Sequence, residues 1–176
     1  YDATKGEILI DGVNIKNLPI KTLRDKIGFV PQKAVVYNGT IKENMLFGNK
    51  NATDEEINNV LSVAQAEHFI SKLPDGLDSY VSQGGKNFSG GQKQRLCIAR
   101  ALIKKPEIYV IDDSFSALDF KTDAKLRSEL QKYIGNSSMV VVAQRVSSIL
   151  DADTIIVLNE GKVVGQGTHD ELLKTC

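Results

Sequence analysis

The chemistry most legible in this 176-residue chain lies in Ser89-Gly90-Gly91-Gln92. Two adjacent glycines let backbone N–H groups approach an anion, and a helix starting here would point the positive end of its dipole at it. Ser89 adds a hydroxyl donor. Phosphate binding fits this set. A capped helix after a flexible loop fits it equally, because short glycine motifs recur by chance. A second candidate is the carboxylate pair Asp112-Asp113, which closes the apolar run Ile108-Tyr109-Val110-Ile111.

Strands and helices must position these residues. The pattern predicts a strand at 6–10, a turn at Asp11-Gly12 and a return strand from Val13 to Leu18. A short helix over Pro19–Lys26 precedes an apolar strand, Ile27–Val30, closed by Pro31. One or two helical turns fit Thr40–Phe47. Thr53 and Glu56 form a capping box for a helix carrying Ile57, Val60, Leu61 and Ala64, and a short helix follows to about Leu73. Residues 82–91 read as a loop. Ser89, with Gln92 as its reciprocal partner, caps a long helix to about Lys104. Buried-type strands are expected at Glu107–Ile111 and Met139–Ala143, with a helix from about Lys121 to Ile134 between them. A hairpin turns at Asn159-Glu160-Gly161, and Thr168 with Glu171 caps a last helix. Strands alternating with helices, two of the strands continuously apolar, predict an α/β domain with a largely parallel central sheet.

Composition narrows the function classes. Lys plus Arg and Asp plus Glu are both 22, so net charge is zero, which argues against a protein that coats nucleic acid. The basic residues near 93–105 read as a solvated face. Cys97 and Cys176 are too few and too far apart for a disulfide framework or a zinc site, and Cys97 reads as core. His68 and His169 read as structural or exposed. No apolar run is long enough to span a bilayer. Residues 1–5 run into a strand-like segment without a start methionine, which reads as a fragment.

Several motifs then point one way. Asn87-Phe88-Ser89-Gly90-Gly91-Gln92-Lys93-Gln94-Arg95 resembles the signature motif of the ATP-binding-cassette family. Pro31-Gln32 after a strand resembles its Q-loop, Ile108 to Asp112 its Walker B strand, and Ser116-Ala117-Leu118-Asp119 its D-loop. Gln144-Arg145 after an apolar strand sits where the family's switch histidine sits. The order is the family order, and the resemblance covers essentially the whole chain. The stretches 37–49, 82–91 and 152–173 resemble the exporter branch.

The resemblance implies a single partial domain over 1–176. It is P-loop NTPase-like, with a parallel core sheet flanked by helices and a helical signature subdomain at about 33–105. It implies ATP and Mg2+ as ligands, and pairing with a second ATPase domain so that two ATP molecules lie between them. Ser89, Gly90, Gly91 and Gln92 would close the partner's site, and Asp119 would bridge the domains or simply cap the next helix. Asp112 would hold magnesium, an ion that suits one carboxylate together with phosphates and waters. Gln32 would reach the magnesium and the attacking water, and would sense a coupling helix of a transmembrane domain. The setting implied is the cytoplasmic face of the cell membrane, with the chain powering export.

Three departures stand out. The phosphate-loop pattern, a glycine, four residues, then Gly-Lys with Ser or Thr, is absent: Asn87 follows Gly85-Lys86, and Tyr80 stands at the first glycine position. In the family that loop precedes the point where this chain begins, so the chain alone is expected to bind ATP poorly. Asp113 replaces the catalytic glutamate and is one methylene shorter, which sets a general base back from its water. Gln144 replaces the histidine and can donate but not be protonated. Together these imply the degenerate-site half of a heterodimeric exporter, with an intact signature serving a different chain. A nonhydrolysing ATP-binding regulatory subunit is the alternative. A DNA-repair or chromosome-maintenance ATPase would need a long coiled coil, and no heptad stretch is present.

Overall fold

The fold is described from a computed structural model, which covers residues 3–175; Cys176 lies outside the described residues. The chain opens with a hairpin, β1 (Leu9–Ile10) against β2 (Val13–Asn14), turning through Asp11 and Gly12 at φ 52° and 77°. Positive φ at both central residues matches the right-handed twist of the flanking strands. The return strand stops earlier than its sequence predicts. The Asn14 side chain accepts from the Lys16 N–H and starts a 3-10 turn over Ile15–Asn17, a local hydrogen bond that competes with strand pairing.

Helix α1 (Ile20–Lys26) feeds directly into β3 (Ile27–Val30). Strand β4 (Gly39–Thr40) then enters α2 (Ile41–Leu46), α3 (Asp54–Val63) and α4 (Glu67–Ile70). Capping boxes start α2 at Thr40 with Glu43 and α3 at Thr53 with Glu56. Strand β5 (Tyr80–Val81) pairs antiparallel with β4. Two residues inside a polar stretch give too little periodicity to show in the sequence. Helix α5 (Gly90–Leu102) runs beneath β3, and β6 (Ile108–Asp112), α6 (Phe120–Ile134) and β7 (Ser138–Val142) follow. The hairpin β8 (Ile155–Asn159) and β9 (Lys162–Gly167) leads into α7 (His169–Thr175).

The central sheet is parallel, in the order β3-β6-β7. Its core forms where α2 and α3 close on α5. Ile41, Met45, Ile57, Leu61, Leu96, Ile98 and Leu102 are each at most 1% exposed. Each such side chain contributes about 1.5–3 kcal/mol by leaving water. Truncating Leu61 to alanine would cost about 2–5 kcal/mol, because neighbours collapse only partly into the hole.

Two sequence expectations need correction. Strand β7 is not buried: Met139, Val140 and Val142 are 39%, 53% and 52% exposed. Among the described residues β7 pairs only with β6, so an apolar run has open faces. Nor are the basic residues at 93–105 merely solvated. Arg95 Nη1 donates to the Gln65 carbonyl at 2.7 Å, Arg100 Nη2 to the Val35 carbonyl at 2.6 Å, and Lys104 Nζ to the Ile27 carbonyl at 2.7 Å and to that of Arg24. Long cationic side chains lay their stems on apolar surface and satisfy carbonyls in loops and at element ends. Cys97 is core, as expected. Burial pushes its thiol up, and Sγ donates to the Val35 carbonyl at 3.3 Å.

Candidate functional site

Parallel register gathers the predicted residues at one edge of the sheet. Val30 pairs with Ile111, and Asp112 with Val142. Asp112 therefore ends β6, Gln32 lies two residues past β3, and Gln144 two residues past β7. In open α/β sheets, ligands bind outside these carboxyl ends of the strands.

The chain turns sharply after Asp112. Asp113 has φ 41°, and its N–H donates to the Val142 carbonyl at 2.8 Å. A left-handed φ is uncommon for a residue other than glycine, but aspartate tolerates it better than most. The turn brings the Asp113 side chain, 8% exposed, against Gln32, whose Nε2 donates to Asp113 Oδ2 at 3.3 Å. Fully buried Ser114 locks the turn from behind. Its Oγ lies 3.3 Å from the carbonyls of Val30 and Pro31 and 3.1 Å from that of Asp112. Gln94 Nε2, from α5, also donates to the Pro31 carbonyl, at 3.3 Å. Gln32 and Asp113 are thus held from three sides. Gln144 is exposed and reaches this group through strand register alone.

The donors suit a hydrated divalent cation. Partly buried Asp112 offers a carboxylate that accepts no side-chain hydrogen bond among the described residues, and Gln32, whose Nε2 is turned to Asp113, keeps an amide oxygen that could serve as a second donor. No cluster of three His, Cys, Asp or Glu residues exists among the described residues. One carboxylate and one amide match Mg2+, which keeps waters and takes phosphate oxygens instead of a full protein cage.

The second group starts α5. Ser89 Oγ accepts from the Gln92 N–H at 3.2 Å, and Gln92 Oε1 from the Ser89 N–H at 2.8 Å. This capping box fixes the helix start and leaves the Ser89 hydroxyl proton to donate outward. A Cβ on Gly90 would meet nothing within 4 Å, whereas one on Gly91 would sit 3.2 Å from the Ala117 carbonyl. Gly91 thus packs against the segment that leads to Asp119, and Gly90 faces open space. Asp119 caps α6, accepting from Thr122 N at 3.0 Å and Thr122 Oγ1 at 2.7 Å, and these bonds hold its carboxyl below the ordinary range.

Sequence reading missed Ser114, Gln94 and Arg145 as supports. Gln94 left a signal: it shares a helical face with Cys97, Ile98 and Ala101, so a polar residue interrupts an apolar stripe. Ser114 and Arg145 left none, because their partners lie far away in sequence. A separate groove between α1, β3 and α5 is lined by Ile20, Phe29, Tyr37, Phe47, Arg100 and Lys104. Phe47 is 68% exposed at its rim, its ring 4.5 Å from that of Tyr37, over which Arg100 stacks at 4.6 Å.

Comparison with known proteins places this geometry. A family model described as ABC transporter matches residues 1–116. An uncharacterised ABC transporter ATP-binding protein of Mycobacterium tuberculosis is 45% identical over 179 residues, covering 100% of this chain and 30% of that protein. ABC transporter B family member 21 of Arabidopsis thaliana is 45% identical over 174 residues, covering 99% of this chain and 13% of its own length. The solved structure of a bacterial Atm1-family ABC exporter with ATP bound superposes with a TM-score of 0.95 at 39% identity, covering 99% of this chain and 31% of that one. The chain therefore spans about a third or less of the length of these relatives. With a family match over most of its length and the fold of an ABC exporter's ATP-binding domain, the chain belongs to the ABC transporter family.

Proposed function

We propose that this chain is the ATP-binding engine of a membrane exporter, working at the cytoplasmic face of the membrane and pairing with a second ATPase domain. The observation that carries this reading is the convergence of Gln32, Asp112, Asp113 and Gln144 at the carboxyl edge of one parallel sheet, with Gln32 touching Asp113 at 3.3 Å. No helix among the described residues is long and apolar enough to cross a membrane. Membrane passage then falls to a transmembrane domain, and the groove around Phe47 and Tyr37 is where one of its coupling helices would rest.

In this reading residues 33–105 form a helical subdomain set into the α/β core. Asp112 and the Gln32 amide oxygen would hold Mg2+, which supplies charge neutralisation at the ATP phosphates. Gln32 orients the Asp113 carboxylate, which takes the proton of a water aimed at the γ-phosphate. Gln144 donates to that phosphate from the neighbouring strand. Ser89, Gly90, Gly91 and Gln92 close the facing domain's ATP site with backbone N–H groups and the Ser89 hydroxyl at a helix start.

Asp113 and Gln144 favour a degenerate own site, whose signature completes the competent site of a different chain. A subunit that binds ATP without hydrolysing it is the second reading, favoured by the same two residues. Mg-ATP turnover by the assembled transporter in lipid vesicles decides between them. With a slow own site, most turnover falls on the facing site that Gly91 helps to close, so the engine reading expects Gly91→Glu to abolish turnover and Asp113→Asn to change it by no more than a few-fold. Absence of turnover in the unaltered complex would leave the regulatory reading, and the reverse ranking of the two variants would overturn the division of labour.

A further inference from the structure

We propose that Arg145 is a positioning residue that ties the Gln144 segment to the Ser116–Asp119 segment, and through it to the signature glycines. The inference rests on the ATPase reading above. Arg145 Nη2 donates to the Ser116 carbonyl at 3.1 Å, and its guanidinium carbon lies 5.1 Å from the centre of the Phe120 ring. Ser116 is tied in turn to the catalytic turn, its Oγ donating to the Asp113 carbonyl at 2.8 Å. The next residue, Ala117, presents its carbonyl against Gly91, where even a methyl group would come within 3.2 Å. One side chain thus reaches from the switch position beside the phosphates to the segment wedged under the motif that serves the facing domain.

The side chain is held by fit more than by full hydrogen bonding. Its Nη1 is buried and donates to nothing among the described residues. A buried donor without a partner is costly. The geometry therefore comes from the single Nη2 bond to the Ser116 carbonyl and the stack on Phe120, a ring that is 73% exposed and serves no core. A planar guanidinium can donate and stack at once, which an ammonium cannot. Displacing Gln144 would drag on Ser116 and loosen the seat of Gly91. Arg145 thereby makes one site's phosphate end and the other site's closing motif move together.

The test is steady-state Mg-ATP hydrolysis by the assembled transporter in lipid vesicles. Arg145→Ala is expected to lower kcat about tenfold, the loss of one charge-assisted hydrogen bond in the working state, with KM within twofold. Arg145→Lys keeps the charge and a donor for the Ser116 carbonyl but not the plane that stacks on Phe120, and recovers part of the loss. Phe120→Leu, at an exposed ring, lowers kcat about threefold and adds nothing in the Arg145→Ala background, because both act through one contact. Should Arg145→Ala fail to assemble, Phe120→Leu alone decides, by a fall in kcat at constant KM. Unchanged kcat in the variants beside an active wild type overturns the Arg145 inference alone. So does a rise in KM at constant kcat, or additive losses in the double variant. A wild type without hydrolysis overturns the ATPase reading and this inference with it.

Discussion

Gln94 and Pro31, 63 residues apart, meet inside the fold, where the Gln94 amide donates to the Pro31 carbonyl at 3.3 Å. Gln94 is 1% exposed and sits on the helix that Ser89 caps, while Pro31 precedes Gln32. The helix carrying one candidate motif therefore holds the backbone of another.

Replacing Gln94 should loosen this joint in a graded way. Gln94→Leu keeps the volume and leaves Ser114 still serving the Pro31 carbonyl. It should cost about 1–2 kcal/mol, the worth of a hydrogen bond plus partial strain. Gln94→Ala adds a cavity and should cost about 2–4 kcal/mol. Denaturant midpoints of the two variants check the order. If both proved neutral, the amide would not be pinning the loop.

Glycines 90 and 91 should respond oppositely to a methyl group. A Cβ at Gly90 meets open space, and alanine is favoured over glycine in a helix by up to about 1 kcal/mol. Gly90→Ala should leave melting unchanged or raised while weakening ATP occupancy at the facing site, since the backbone N–H is then screened. Gly91→Ala meets the Ala117 carbonyl at 3.2 Å and should lower the melting temperature. Melting curves beside nucleotide binding by the assembled transporter separate the two effects. A Gly90→Ala protein that binds as the wild type does would remove Gly90 from the phosphate contact.

How much of this was legible in the sequence follows from the range of the forces involved. Capping boxes at Thr53 and Ser89 were readable because both partners lie within four residues. Strands β3 and β6 were readable as apolar runs bounded by proline or by acids. The Gln32–Asp113 contact spans 81 residues and depends on parallel register, which no local pattern encodes. Family motif order suggested that the two belong to one site, and their distance came only with the fold. Strand β7 misled because apolar composition marks what can be buried, while burial itself depends on what packs there.

Asp119 should give stability a dependence on acid pH. Hydrogen bonds from Thr122, first its backbone N–H and then its hydroxyl, lower the Asp119 carboxyl from an ordinary 3.8. The folded state thus prefers the carboxylate, so the contribution is fully present above the unfolded value and is lost as pH falls through the lower folded one. Asp119→Asn keeps an acceptor for the cap but cannot titrate. The gap in denaturant midpoint between wild type and Asp119→Asn should be constant near neutrality and narrow below about pH 4. A gap that stays constant into strong acid would show that the cap carries no charge-dependent stability.

The own site should gain activity from two restored side chains. Asp113→Glu extends the base by one methylene toward the water while the Gln32 contact holds its carboxylate in line. Gln144→His places two residues past β7 a ring that can carry charge near neutral pH. Each change restores a transition-state contact, and such contacts are worth about 10²–10³ in rate where the rest of the site is intact. The double variant of the assembled transporter should raise turnover and trap nucleotide at a second site. Its rate should also acquire a dependence on pH near the histidine range of about 6.5. Asp113→Glu alone should recover less, because the phosphate donor would still be an amide. If rate and occupancy stayed at wild-type levels in the double variant, the two substitutions would be tolerated variation, and the degenerate-site assignment would have to be abandoned.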